Sequence, residues 1–329
     1  MRADYPRGAC KAILSSKLFA LFFALIYAFT LANLPLMQFR DRINYLTYAS
    51  GSFVILQRYL ESGGWVTLFM NEPLWLLINI GLSRFLQPED VLRVIIFLPA
   101  FIVSYLALRS NPPDAIWIAL FLLIPGVLKN HIVHLRQGLA IAIFLVGWFA
   151  RHRGLRVVCF LAAPFIHVGF FATLGLMALA HATKRLRFAP DLRLIAFVGV
   201  GVLLGVSLPW IADLYPIPRQ ASEYDFRLIS GSGLGFLFWG SIFLLMLLQP
   251  RYYLEEHAFE IGTILFYLML YPLVAISARV FENTILLVLL AGLRLSNPNR
   301  KFFLTGVLIF AMAVWGKAVL GAGPVWLIE

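Results

Sequence analysis

Charge is what this chain of 329 residues has least of: Asp, Glu, Lys and Arg together make up 13%, against roughly 25% in soluble domains. Hydrophobic residues reach 61%, which excludes a water-solvated globule. Cysteine is nearly absent. Cys10 and Cys159 cannot build a disulfide framework, and Cys159, inside an apolar run, reads as a small buried hydrophobe. Alternating apolar and polar residues are missing too, so a transmembrane barrel is excluded. No low-complexity tract, internal repeat or soluble domain interrupts the chain. Metal-ligand clusters are also lacking: His131 and His134 stand without a carboxylate partner. No metal and no cofactor is expected.

What is present is a succession of continuous apolar runs, at residues 18–37, 73–86, 91–108, 114–130, 135–150, 157–182, 194–212, 233–249, 258–276, 280–294 and 302–320. Several approach the roughly 20 residues that cross a bilayer. The chain therefore reads as all-α: a polytopic helical membrane protein, 1–329 forming one integral membrane domain. The net charge of +11 sits mostly in short loops between apolar runs. That distribution fits the positive-inside rule and anionic lipid head groups, not nucleic acid. Residues 1–17 read as a cytoplasmic tail ahead of an uncleaved signal anchor.

Two runs are odd: 73–86 is short and holds Asn79, and 157–182 is long and broken by Pro164. Strict alternation would put Arg151, Arg153 and Arg156 outside. If 73–86 does not span and 157–182 is a re-entrant hairpin turning near Pro164–His167, the basic loops fall in the cytoplasm. The expectation is about nine spans plus two partial insertions, nine to eleven hydrophobic segments in all. Non-spanning backbone at that depth needs protein or a hydrated cavity around it. The outer side then collects the interfacial loop 38–72, the mouth of the Arg136 helix, the loop 213–232, and Arg279 with Glu282.

Each polar residue singled out has two readings. Asp41 lies in the first outer loop, whose composition suits interfacial amphipathic helices. Glu72, ahead of Pro73, either caps a helix through its dipole or works as a general base. Arg136, followed by Gln137 and Gly138, either snorkels at a helix end or holds a phosphate. His167 is either bonded to a carbonyl freed near Pro164 or handles a proton at neutral pH. Arg279 and Glu282, one turn apart in an apolar run, form an internal ion pair or share a ligand phosphate. Arg219 and Arg227 sit in a loop of around twenty residues that is either a connector or a substrate-binding lid.

These elements resemble the EpsG-like branch of the Wzy-type polysaccharide polymerases. The resemblance is carried by Asp41-Arg42-Ile43-Asn44-Tyr45, Glu72-Pro73-Leu74, Arg136-Gln137-Gly138-Leu139-Ala140, Phe165-Ile166-His167 and the late Arg279. Where the family has an Asp-Tyr pair, this chain has Asp41-Arg42 with the tyrosine displaced to 45. The resemblance implies a GT-C-like membrane glycosyltransferase in the bacterial cytoplasmic (inner) membrane, with a cytoplasmic N-terminus. It would join undecaprenyl-diphosphate-linked oligosaccharide units at the outer, periplasmic face, with a chain-length regulator protein as an accompanying partner. Arg136, Arg279, Arg219 and Arg227 would hold the diphosphate, and His167 or Glu72 would take the proton, with Asp41, Gln137 and Glu282 close to the chemistry. A flippase for the same lipid-linked sugar and an O-antigen ligase are the competing readings.

Overall fold

The structure, a computed structural model, describes residues 7–39, 41–214, 233–274, 277–317 and 320. Among these no strand occurs, and the regular elements are helices. Two compact units divide the chain, one ending at His167 and the other beginning at Val168.

The first unit contains α1 (Arg7–Ala32), α2 (Arg42–Met70), α3 (Pro73–Ser83), α4 (Pro88–Ser110), α5 (Ala115–Leu122), α6 (Pro125–Ile132), α7 (Leu135–Phe149) and α8 (Arg153–Ile166). α4 is its axis. Val91, Leu92, Ile95, Ile96, Ala100 and Val103 recur at helical spacing and are buried, against α1 on one flank and α7 on another. α1 presents Ala20, Ala24 and Ala28 at intervals of four, all 0–1% exposed. Small residues let helix backbones approach closely where lipid supplies no hydrophobic drive. Arg93 ties the pair by donating to the Ala32 carbonyl at 2.9 Å.

The second unit contains α9 (Phe170–Arg185), α10 (Pro190–Leu214), α11 (Leu234–Leu247), α12 (Arg251–Glu256), α13 (Ala258–Leu270), α14 (Ser277–Glu282), α15 (Ile285–Gly292) and α16 (Asn297–Lys317). Here α13 is central and buried nearly all round, flanked by α9, α10 and α11. Gly262 permits a close approach: a Cβ there would lie 2.3 Å from the Phe197 ring of α10.

Many apolar side chains face outward, among them Ile26, Leu77, Val158, Leu203 and Leu237. Buried positions meanwhile include Arg42, Glu72, Asn79, Asn130, His131 and Gln137. Apolar residues outside and polar residues inside suit a hydrocarbon solvent better than water. Length limits the count of continuous spans. Pro88–Ser110 and Pro190–Ser207 are each long and apolar enough to cross a bilayer, and two bent pairs raise the number to four at most among the described residues. The pairs are Gly64–Met70 with Pro73–Ser83, bent by 82°, and Pro112–Leu122 with Pro125–Ile132, bent by 71°. Nine to eleven continuous spans are thus not found. The physical reason is local: Glu72-Pro73, Pro125 and Asn283-Thr284 cut apolar runs into short rods, and a hydropathy average passes over such breaks.

The two odd runs are broken as their sequences suggest, with one shift in position. Segment 73–86 is the short second limb of the 82° bend. In 157–182 the break falls at His167–Gly169, while Pro164 stays inside α8. A proline crowds the turn preceding it, and here the helix stops about one turn later.

Candidate active site

Glu72 stands at the corner between α2 and α3. α2 is already interrupted at Gly64, whose φ of 63° and ψ of −153° are non-helical. After Asn71 the chain turns again, with Glu72 at φ 58° and ψ 58°. This is the left-handed region, which a non-glycine residue occupies at a cost of about 1–3 kcal/mol. Pro73 then opens α3, its fixed φ and missing N–H suiting the first helical position. The Glu72 carbonyl accepts from the amides of Trp75 and Leu76, but its side chain makes no capping bond. Of the two readings of Glu72, capping is therefore set aside.

The carboxylate is turned elsewhere. Oε2 accepts from Arg136 Nη1 at 2.6 Å, and Oε1 lies 3.1 Å from His167 Nδ1. Three sequence-predicted residues, separated by 64 and 95 positions, thus meet at one carboxylate. Arg136 comes from the first turn of α7, and His167 is the residue that ends α8. An ionised carboxylate only accepts, so against ionised Glu72 the shared hydrogen lies on Nδ1. Exposure separates the roles: the Glu72 side chain is 4% exposed, whereas Arg136 retains 18% and His167 17%. A ligand can reach the cation and the imidazole but not the carboxylate that holds them.

Aromatic residues from α2 and α3 wall the trio. The Arg136 guanidinium lies 5.5 Å from the Tyr48 ring centroid, within cation–π range. Tyr45 is within hydrogen-bonding reach of Arg136, and Tyr59 of Tyr48. Trp75 meets Tyr45 and Tyr48 edge-on at 5.8 and 6.2 Å, and its buried Nε1 has no hydrogen-bond partner. Burial pushes the Tyr59 hydroxyl up to about 12 and raises Tyr45 as well. Both remain neutral hydrogen-bond donors at physiological pH. Of these tyrosines the sequence drew in Tyr45 alone, through the resemblance, and not Tyr48 or Tyr59, although Tyr45 and Tyr48 stand three apart on one helix face, the spacing that brings side chains together.

The remaining predicted residues are placed as follows. Gln137 is buried beside Arg136. Asp41 is exposed and left-handed at φ 63°, with no capping bond, whereas its neighbour Arg42 is buried and donates to the Ile132 carbonyl at the end of α6. Desolvation lowers the Arg42 guanidinium to about 10, still protonated at neutral pH. Arg279 and Glu282 belong to the second unit, on α14. Arg219 and Arg227, with the loop at 215–232, lie outside the described residues. Among the described residues no group of three or more His, Cys, Asp or Glu is placed to hold a metal ion.

The chain matches no protein-family model, no curated protein and no solved structure.

Proposed function

We propose that this protein is a polysaccharide polymerase of the bacterial cytoplasmic membrane, a GT-C-like membrane glycosyltransferase. Its substrates are oligosaccharide repeat units carried on undecaprenyl diphosphate, joined at the outer face without a metal. The observation that carries this reading is the Glu72–Arg136–His167 trio, a cation and a base with accessible faces held by one enclosed carboxylate. Arginine suits a diphosphate because its planar fork matches phosphate oxygens and stays charged.

The reaction divides among these groups. An acceptor sugar hydroxyl attacks the anomeric carbon of the donor unit, and the bond from that carbon to the diphosphate oxygen breaks. The hydroxyl proton passes to His167 Nε2, which acts as general base. Glu72 is a positioning residue: through Nδ1 it fixes the tautomer and orientation of the ring, as a buried carboxylate does in hydrolytic triads. Charge developing on the leaving diphosphate is met by Arg136, with Tyr45 and Tyr48 as neighbouring hydroxyls. The resemblance further implies diphosphate or sugar contacts for Arg279, Arg219 and Arg227, and a chain-length regulator that sets when extension stops.

The test is polymerisation in proteoliposomes supplied with the lipid-diphosphate repeat unit and no metal. A product ladder is expected from the wild type, and its loss in Arg136→Ala and His167→Ala. Transbilayer movement of the substrate without a ladder would instead identify a flippase, and transfer only to a lipid A-core acceptor a ligase.

A further inference from the structure

The second unit contains a buried cation that no residue answers. Arg193, in the first turns of α10, is 6% exposed, and its Nε and Nη1 make no hydrogen bond. Among the described residues no carboxylate pairs with it. Asp191 lies on the same turn but is exposed, and Glu260 of α13 faces His257 at 3.7 Å. An enclosed guanidinium without a counter-ion is unfavourable, and an anion would offset that.

Arg193 lines a shallow, open groove in which about 20 Å³ admits water-sized molecules, and whose other walls include Leu194, Phe197, Leu247, Leu254 and Ile261. The Phe197 ring that lines it also lies against Gly262 of α13. The site thus pairs one positive charge with an apolar surface. A small inorganic anion would satisfy the first and leave the second bare. Further positive charge precedes α10 in the chain, where Lys184, Arg185 and Arg187 are exposed. Basic pockets between membrane helices favour anionic lipid head groups.

We propose that this groove binds an anionic phospholipid, its phosphate on Arg193 and the start of an acyl chain against Leu194, Phe197 and Leu254. The proposal is independent of the polymerase reading, since it concerns a different unit and no chemistry.

The full chain, purified and delipidated in a neutral detergent, is titrated with phosphatidylglycerol, phosphatidylcholine and inorganic phosphate, and binding is read by native mass spectrometry. Phosphatidylglycerol is expected to bind at least about tenfold tighter than phosphatidylcholine, the scale of one charge-assisted contact. Arg193→Met should abolish that preference and Arg193→Lys retain part of it. Should Arg193→Met fail to fold, a photoactivatable phosphatidylglycerol on the wild type decides: labels in α10, α12, α13 or the end of α11 support the site. Equal affinity for the two lipids, displacement of bound lipid by inorganic phosphate alone, a preference unchanged in a folded Arg193→Met, or labels confined to other helices would each overturn it.

Discussion

Replacing Gly138 by alanine adds one carbon at a place where two backbones already touch. A Cβ on Gly138 would lie 2.0 Å from the Asn130 carbonyl oxygen and 2.9 Å from its carbon, where ordinary contact begins at 3.4 Å. The obstacle is main chain, so no rotamer change relieves it. α6 and α7 would have to part by about 1.4 Å along that line. Overpacking of this kind costs roughly 1–3 kcal/mol, which for a unit of this size corresponds to a fall of roughly 2–12 °C in melting temperature. The same displacement moves the first turn of α7, from which Arg136, two residues before Gly138, reaches Glu72. The assay is thermal unfolding of the purified protein by tryptophan fluorescence, with Gly81→Ala in α3 as the control. A Cβ on Gly81 meets nothing within 4 Å, so alanine there should be neutral or stabilising by up to about 1 kcal/mol. A Gly138→Ala protein that melts with the wild type, or no lower than Gly81→Ala, would refute the argument.

Glu72→Gln leaves Arg136 enclosed without its counter-ion and is expected to cost about 3 kcal/mol, the lower end for a broken buried pair because Arg136 keeps 18% exposure; denaturant titration measures it. In the polymerisation assay, His167→Ala should lower turnover by roughly 10²–10⁴-fold, the usual contribution of a general base, and Asp41→Ala by less than about twofold, because Asp41 is exposed and makes no capping bond. Tyr59 keeps its proton up to about 12 in the folded state, above the ordinary value of about 10. Its raised folded value means that its contribution is complete below about pH 10 and lost as pH rises through about 12, so the alkaline fall in stability should be shallower in Tyr59→Phe, as melting curves at stepped pH would register. Gly262→Ala should destabilise the second unit, since its Cβ would meet the Phe197 ring at 2.3 Å, and limited proteolysis of residues 168–214 reads that loss.

Local signals announced the breaks around the site well and its centre poorly. Glu72 ahead of Pro73, a long run holding Pro164, and an arginine at a helix mouth are all visible in a linear text, and each coincides with a corner in the fold. That Glu72 joins the other two is not, because a carboxylate before a proline looks locally like a helix cap. What redirects it is a left-handed backbone, and only tertiary packing can impose that on a residue other than glycine. The tyrosine wall was missed because aromatics in an apolar segment look alike whether they face lipid or a cation. Gly138 is the converse case. Within the Arg-Gln-Gly stretch it counted only as a neighbour of Arg136 and part of a resemblance, yet the close crossing of α6 and α7 explains it physically. Span number was overestimated because hydropathy records how apolar a run is and not whether its hydrogen-bond ladder is continuous.

One carboxylate serving two partners also makes those partners thermodynamically linked. The two oxygens of Glu72 belong to a single rigid plane, fixed at its base by a strained backbone, so a shift that improves one contact alters the other. Removing the Arg136 guanidinium must therefore change the free energy of the His167 contact, and removing His167 must change that of Arg136 by the same amount. Residues 31 positions apart in the chain, with no contact of their own required, become a reciprocal pair through their common neighbour.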